Sequence, residues 1–175
     1  NSNALIGIDN NIIIERDENG NTSTRNGQSL QYSPYNQLMA INNVASYQYN
    51  GLGQRISKTN LTNNISQYFV YNLAGQLISE LDSTGNPVTE HIYLNNMPIA
   101  VIKYEDSDSQ VYYVHTDHLN TPRAITDQSQ QEIWQWQSDA FGNGAANSDV
   151  NLDGKQFIYN KRFPGQYYDQ ESGLH

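Results

Sequence analysis

The sequence predicts an all-β protein, with tandem β-hairpin repeats forming a twisted antiparallel sheet. Three observations lead there. Tyrosine-led units recur at a fixed interval, turn cassettes carrying Asp or Asn and then Gly punctuate the chain, and the stretches between them are short and rich in β-branched and aromatic residues. No amphipathic pattern of ten or more residues intervenes, so helix content should be small.

The interval is the strongest of the three. Tyr49-Asn50-Gly51-Leu52-Gly53-Gln54-Arg55-Ile56 aligns with Tyr71-Asn72-Leu73-Ala74-Gly75-Gln76-Leu77-Ile78, and Tyr93-Leu94-Asn95-Asn96-Met97-Pro98-Ile99 begins another 22 residues on. A fixed period marks a repeat architecture, in which each unit buries its face against a neighbour. Looser cassettes are Asp17-Glu18-Asn19-Gly20-Asn21-Thr22, Asp82-Ser83-Thr84-Gly85-Asn86-Pro87, Asp139-Ala140-Phe141-Gly142-Asn143 and Tyr168-Asp169-Gln170-Glu171-Ser172-Gly173-Leu174. Asp and Asn side chains cap their own turn, and Gly supplies a positive φ at no steric cost. Asn96 stands where Gly is expected, and Asn also visits the left-handed region.

Between cassettes, Ser66-Gln67-Tyr68-Phe69-Val70-Tyr71, His91-Ile92-Tyr93, Ile99-Ala100-Val101-Ile102-Lys103-Tyr104 and Gln110-Val111-Tyr112-Tyr113-Val114 read as strands. In the first, Gln67, Phe69 and Tyr71 face one side and Ser66, Tyr68 and Val70 the other. Aromatic surface on both sides implies a two-sided sheet, with the 13 Tyr residues carrying much of the burial. An ordinary antiparallel sandwich would share these strands and differ only in closure. A piece of a repeat array has open edges, so homo-oligomers joined through those edges are expected.

Nine Lys and Arg against 18 Asp and Glu give a net charge of −9, which opposes a phosphate backbone or an anionic membrane surface. No nucleic-acid partner is expected. The run Ile12-Ile13-Ile14 is far too short to span a membrane, and Asn1-Ser2-Asn3-Ala4 lacks the basic and apolar regions of an export signal. Without cysteine there is no disulfide framework or thiolate metal site. Polarity carried by Asn, Gln, Ser and Thr is common in secreted and surface β proteins, and that location is the expectation.

Four clusters invite a chemical reading. His115, Asp117 and His118 offer imidazole and carboxylate ligands within a few residues, but in an extended strand His118 points away from the other two. Turn hydrogen bonding suits them better, with Arg123 paired to a nearby carboxylate. Asp149-Val150-Asn151-Leu152-Asp153-Gly154 opens like a calcium loop, yet Asn160 occupies the closing position, where an EF-hand needs Glu. A helix-free calcium loop or a plain Asx turn both fit. Trp134 and Trp136 share one face of a strand, as a sugar-stacking platform or as core. Glu105, Asp106 and Asp108 read as a solvated acidic loop. With no nucleophile motif, phosphate loop or zinc spacing, the sequence supports no catalytic, cofactor-binding or metal residues and no enzyme activity.

Three further blocks carry a family resemblance. Tyr113-Val114-His115-Thr116-Asp117-His118-Leu119-Asn120-Thr121-Pro122-Arg123 resembles the Tyr-x-His-x-Asp-His-Leu-Gly-Thr-Pro-Arg segment of Rhs/YD-repeat proteins, with Asn120 in place of Gly. Trp136-Gln137-Ser138-Asp139-Ala140-Phe141-Gly142 and Arg162-Phe163-Pro164-Gly165-Gln166-Tyr167-Tyr168-Asp169 resemble that family's next two blocks, and the cassettes resemble its Tyr-Asp/Asn-x-x-Gly-x-Leu/Arg-Ile repeat. The resemblance implies a spiral β shell that encloses a C-terminal toxin, released by an aspartyl self-cleavage site in an Asp-Pro-x-Gly-Leu motif. On that basis residues 12–110 are YD repeats and 111–175 the start of the Rhs-associated core. The chain is expected to be cut short at Gly173-Leu174-His175, before that motif. The expected role is structural, with the rest of its shell and the toxin as partners. A carbohydrate- or receptor-binding module, displaying the Trp pair and a Tyr stripe, is the competing reading.

Overall fold

A computed structural model describes residues 7–8, 12–105 and 108–175. The chain forms two compact units, Asn1–Tyr68 and Phe69–His175. Its strands are β1 (Gly7–Ile8), β2 (Ile12–Arg16), β3 (Thr22–Arg25), β4 (Gln28–Tyr32), β5 (Leu38–Ile41), β6 (Ala45–Tyr49), β7 (Arg55–Asn60) and β8 (Ile65–Tyr71), which runs across the boundary. The second unit continues with β9 (Leu77–Leu81), β10 (Pro87–Leu94), β11 (Met97–Glu105), β12 (Asp108–Thr116), β13 (Pro122–Thr126) and β14 (Glu132–Gln135). Within each unit, strands pair antiparallel with their chain neighbours. None of the described residues is helical. The all-β, antiparallel hairpin expectation holds, and all four singled-out strands fall inside β8, β10, β11 and β12.

The cassettes share one backbone device. In loops 17–21, 33–37, 50–54, 72–76, 82–86, 117–121, 127–131 and 139–143, a side-chain oxygen of the first residue accepts the N–H of the third and of the fifth. The fourth residue lies in the left-handed region, with φ between 60° and 90° at Gly20, Asn36, Gly53, Gly75, Gly85, Asn120, Gln130 and Gly142. This is the type I turn followed by a left-handed bulge residue that twists flanking strands the right way. The ladder slips by one residue beside the cassettes, as at Gln31/Tyr32, Gln48/Tyr49 and His115/Thr116. Tyrosines ahead of the loops tie neighbouring strands, with Tyr49 Oη donating to the Leu38 carbonyl at 2.9 Å and Tyr93 Oη to that of Leu77 at 2.8 Å.

Some local expectations change. Asn96 is not the left-handed residue: Asn95 is, at φ 54°, in a tight turn that pairs Leu94 with Met97. The 168–174 stretch forms a longer turn in which Asp169 N–H bonds the Leu174 carbonyl. Glu105 ends β11 and Asp108 opens β12, so both belong to paired strand ends and not to a loop, while Asp106 lies outside the described residues. The sheet is also less symmetric than a two-sided reading implies: on β8, Phe69 is 4% exposed, whereas Tyr68 and Val70 are 40% and 39% exposed.

Cross-strand register decides which residues meet in the core. Val101 stands opposite Tyr112, Val114 opposite Ile125 and Ile125 opposite Trp134, so these side chains share one face. Past β14 the chain makes no further strand. It turns at 139–143 and lays Phe157, Tyr159 and Phe163 onto that face, as a strap completing the cluster of Val101, Val114, Ile125, Ile133, Trp134, Trp136 and Tyr159. Ring pairs at 5.3 Å join Trp134 to Tyr159 and Trp136 to Phe163, both in the edge-to-face geometry that aromatic quadrupoles favour. The first unit buries Leu30, Ile41, Ala45 and Tyr47.

Candidate functional site beneath the C-terminal strap

Ionisable side chains concentrate where the strap crosses β9 to β11. Glu80, Thr89 and His91 are buried, and the pairing of Thr89 with both Glu80 and Lys103, and of His91 with Val101, puts all four polar groups on the core face. His91 Nε2 lies 2.8 Å from Glu80 Oε1, and the Tyr167 hydroxyl donates to Glu80 Oε2 at 2.7 Å. Lys103 Nζ donates to Thr89 Oγ1 at 2.9 Å. From the strap, Lys161 Nζ reaches the Leu77 carbonyl at 3.3 Å and sits 4.4 Å above the Tyr93 ring.

Burial and partners set the charges. Burial alone would push the Glu80 carboxyl up, but the His91 hydrogen bond and charge, the Lys103 ammonium and the Tyr167 hydroxyl outweigh it and hold it at about 2. Burial pushes His91 down against the opposing pull of the Glu80 carboxylate, and among the described residues its buried Nδ1 has no hydrogen-bond partner. Burial lowers Lys103 and brings Lys161 to about 8, and it raises the Tyr159 phenol, whose hydroxyl has no hydrogen-bond partner among the described residues. An ionised carboxylate with two donors is a strong junction in a dry setting. It fastens the strap to the sheet.

Arg162 is 5% exposed. Its Nη1 donates to the Tyr159 and Lys161 carbonyls at 2.7 and 2.9 Å, and its guanidinium lies 5.5, 5.2 and 5.0 Å from the rings of Trp134, Trp136 and Tyr168. These contacts are cation–π in geometry.

The clusters singled out in the sequence take structural places. Asp117 begins a cassette: its Oδ1 accepts the Leu119 and Thr121 N–H groups and its Oδ2 pairs with Arg123 Nε at 3.0 Å, as expected for Arg123. His115 Nε2 instead meets Thr126 Oγ1 at 3.0 Å, and His118 is exposed, so the three do not converge. Among the described residues no group of three or more His, Asp or Glu is placed to hold a metal. In the 149–154 loop, Asp149 accepts the Asp153 and Gly154 N–H groups and Asp153 accepts that of Lys155, the pattern of an Asx-rich turn. Trp134 and Trp136 are 1% and 0% exposed. The pair is core, and the exposed Trp patch of the competing reading is corrected.

Sequence reasoning missed Glu80, His91, Lys103 and Lys161, and gave Arg162 and Tyr167 only as motif letters. The one signal was ionisable residues inside strands otherwise made of apolar and neutral residues.

A sheet of capped hairpins covered by an aromatic strap defines the fold. Residues 111–147 match the family described as RHS protein, so the similarity to Rhs/YD-repeat proteins holds. The chain is 25% identical over 168 residues to a Bacillus spizizenii protein named tRNA3(Ser)-specific nuclease WapA, covering 93% of this chain and 7% of the relative. It is 25% identical over 200 residues to double-stranded DNA deaminase toxin A of Burkholderia cenocepacia, covering 94% and 14%. Over 68 residues it is 38% identical to toxin protein Tse5 of Pseudomonas aeruginosa, covering 39% and 5%. The chain thus spans 5% to 14% of the length of these relatives. Among solved structures, TcdB2-TccC3 aligns with a TM-score of 0.60 at 20% identity, over 88% of this chain and 8% of that one. A Photorhabdus luminescens Tc holotoxin pore carrying a TccC3 substitution aligns with a TM-score of 0.60 at 20% identity, over 90% and 8%. Among the described residues, no helix is long and apolar enough to cross a membrane.

Proposed function

We propose that this chain is a non-catalytic wall segment of an Rhs-type shell that encloses a C-terminal toxin. Residues 12–110 supply the YD repeats, and 111–175 open the Rhs-associated core. Its partners are the rest of its own shell and the enclosed toxin, and the parent protein is secreted or displayed at the cell surface. The observation that carries the reading is the strap: the polar and aromatic groups of the sheet's inner face are used to fasten the chain to itself, with Glu80 bonded to His91 and Tyr167 and the Trp pair sealed beneath it. Relatives named as toxins support the toxin part of the reading. Burial of Trp134 and Trp136 counts against a carbohydrate platform, and a glycan array probed with the chain should stay blank.

The test is protease protection of the full-length parent. A C-terminal tail shielded in the intact protein, and digested once Trp134→Ala loosens the wall, is the expected result. A tail cut equally fast in both would end the enclosure reading.

A further inference from the structure

The strap carries more positive charge into the interior than the interior neutralises. Lys161 and Arg162 are consecutive on it, and Lys103 lies across the sheet face. The carboxylate beside them, Glu80, is already engaged by His91 and Tyr167. Among the described residues, neither Lys161 nor Arg162 has a carboxylate within ion-pair distance. Among the described residues Arg162 finds acceptors only for Nη1, on two carbonyl oxygens, and none for Nε–H or the Nη2 amino group of its fork. Lys161 uses one of its three N–H donors, on Leu77. Buried charges are normally paired, and leaving them unpaired is costly. In a chain of net charge −9 a grouping of three cations around one carboxylate is the more unusual.

Both residues line the same cavity, of about 350 Å³, between the strap and the β9–β11 part of the sheet. Its wall is largely apolar and aromatic, with Tyr93, Pro98 and Phe163. We propose that this cavity is a binding site for a carboxylate-bearing ligand, with Lys161 and the free edge of the Arg162 guanidinium as its charged contacts. A planar carboxylate matches the two-pronged donor geometry of arginine better than a spherical anion does. The apolar wall favours an acid with a flat hydrophobic body over a fully hydrated one.

Benzoate is the probe, with benzamide as the neutral isostere and sulfate as the control for a general anion effect. Backbone amide shifts are followed on the isotopically labelled chain. Benzoate should shift residues 161–167 saturably, with benzamide at least about tenfold weaker and sulfate without a saturable response. Lys161→Gln should weaken benzoate by about fivefold or more and leave benzamide unchanged, while Lys161→Arg, which keeps the charge, should retain benzoate affinity within about threefold. Equal affinity for benzoate and benzamide would reduce the cavity to an apolar pocket and overturn the proposal. So would a saturable response to sulfate, the absence of any saturable benzoate shift, or identical benzoate binding in the Gln and wild-type chains.

Discussion

The 1–68 and 69–175 units are built from the same capped hairpin, yet they bury it by different means. In the first, Leu30, Ile41, Ala45 and Tyr47 lie on one face through the pairs Leu30 with Ile41 and Ile41 with Ala45. In the second, two tryptophans, a tyrosine and four aliphatic side chains form one cluster, and a strand-free strap presses further rings onto it. A hairpin sheet therefore supplies geometry cheaply but little depth. Depth comes from a segment that has left the ladder.

Four experiments break or sharpen that contrast. Trp134→Ala removes one of the two largest side chains of the strap-covered core and should cost about 3–5 kcal/mol in urea denaturation. Hydrogen exchange should rise across 69–175 more than across 1–68, and a uniform rise would mean that the two units share one core.

Acid is next. The Glu80 carboxyl sits at about 2 in the folded chain against 4.5 ordinarily, so its stabilisation is full above pH 4.5 and drains away as pH falls toward 2. The whole loss is roughly 3 kcal/mol. His91 adds to it, because the unfolded ring takes a proton near its ordinary 6.5 while the buried ring resists one. Lys161, brought to about 8, acts in the same sense, with stability climbing as pH rises from 8 toward 10.5. Amide exchange at successive pH values should show 69–175 opening first. A Glu80→Gln chain with the same acid midpoint as wild type would contradict this account.

Two glycines give a smaller contrast. A Cβ on Gly144 would stand 2.6 Å from the Gln137 carbonyl oxygen, and the Gly144 carbonyl is held by the Trp136 indole N–H at 2.9 Å. Gly144→Ala should thus cost roughly 2–3 kcal/mol. Gly53→Ala, at φ 79° with only a side-chain amide at 3.4 Å, should cost about 1 kcal/mol. Thermal melts of both variants check the order.

The smallest effect belongs to the 149–154 loop. Its carboxylates already accept backbone N–H groups, so added Ca²⁺ should leave the melting temperature unchanged in both wild type and Asp153→Ala. A Ca²⁺-dependent rise seen only in wild type would revive a calcium site there.

The hairpins were legible because their causes are local. An Asp or Asn three residues before a Gly states both the cap and the left-handed position within one short window. Loops 33–37 and 127–131 escaped notice because Ser33 does the capping in one, and Asn36 and Gln130 take the left-handed place of Gly. The strap junction was not legible, since Tyr167 and Lys161 find Glu80 and Leu77 at separations of 87 and 84 residues. Nothing near Glu80 in sequence announces a tyrosine so far downstream. The paired tryptophans were readable as core or platform, and only burial decided between them.

Neighbour-only pairing has a consequence for synthesis. Each strand meets its partner as soon as the next one emerges from the ribosome, so the ladder can be laid down vectorially, with short loop closures and low contact order. The strap then acts as a final checkpoint, because its long-separation contacts form only after every strand it covers has been made. Premature termination anywhere before residue 159 would release a ladder without its fastening, an orphan that quality-control proteases could recognise.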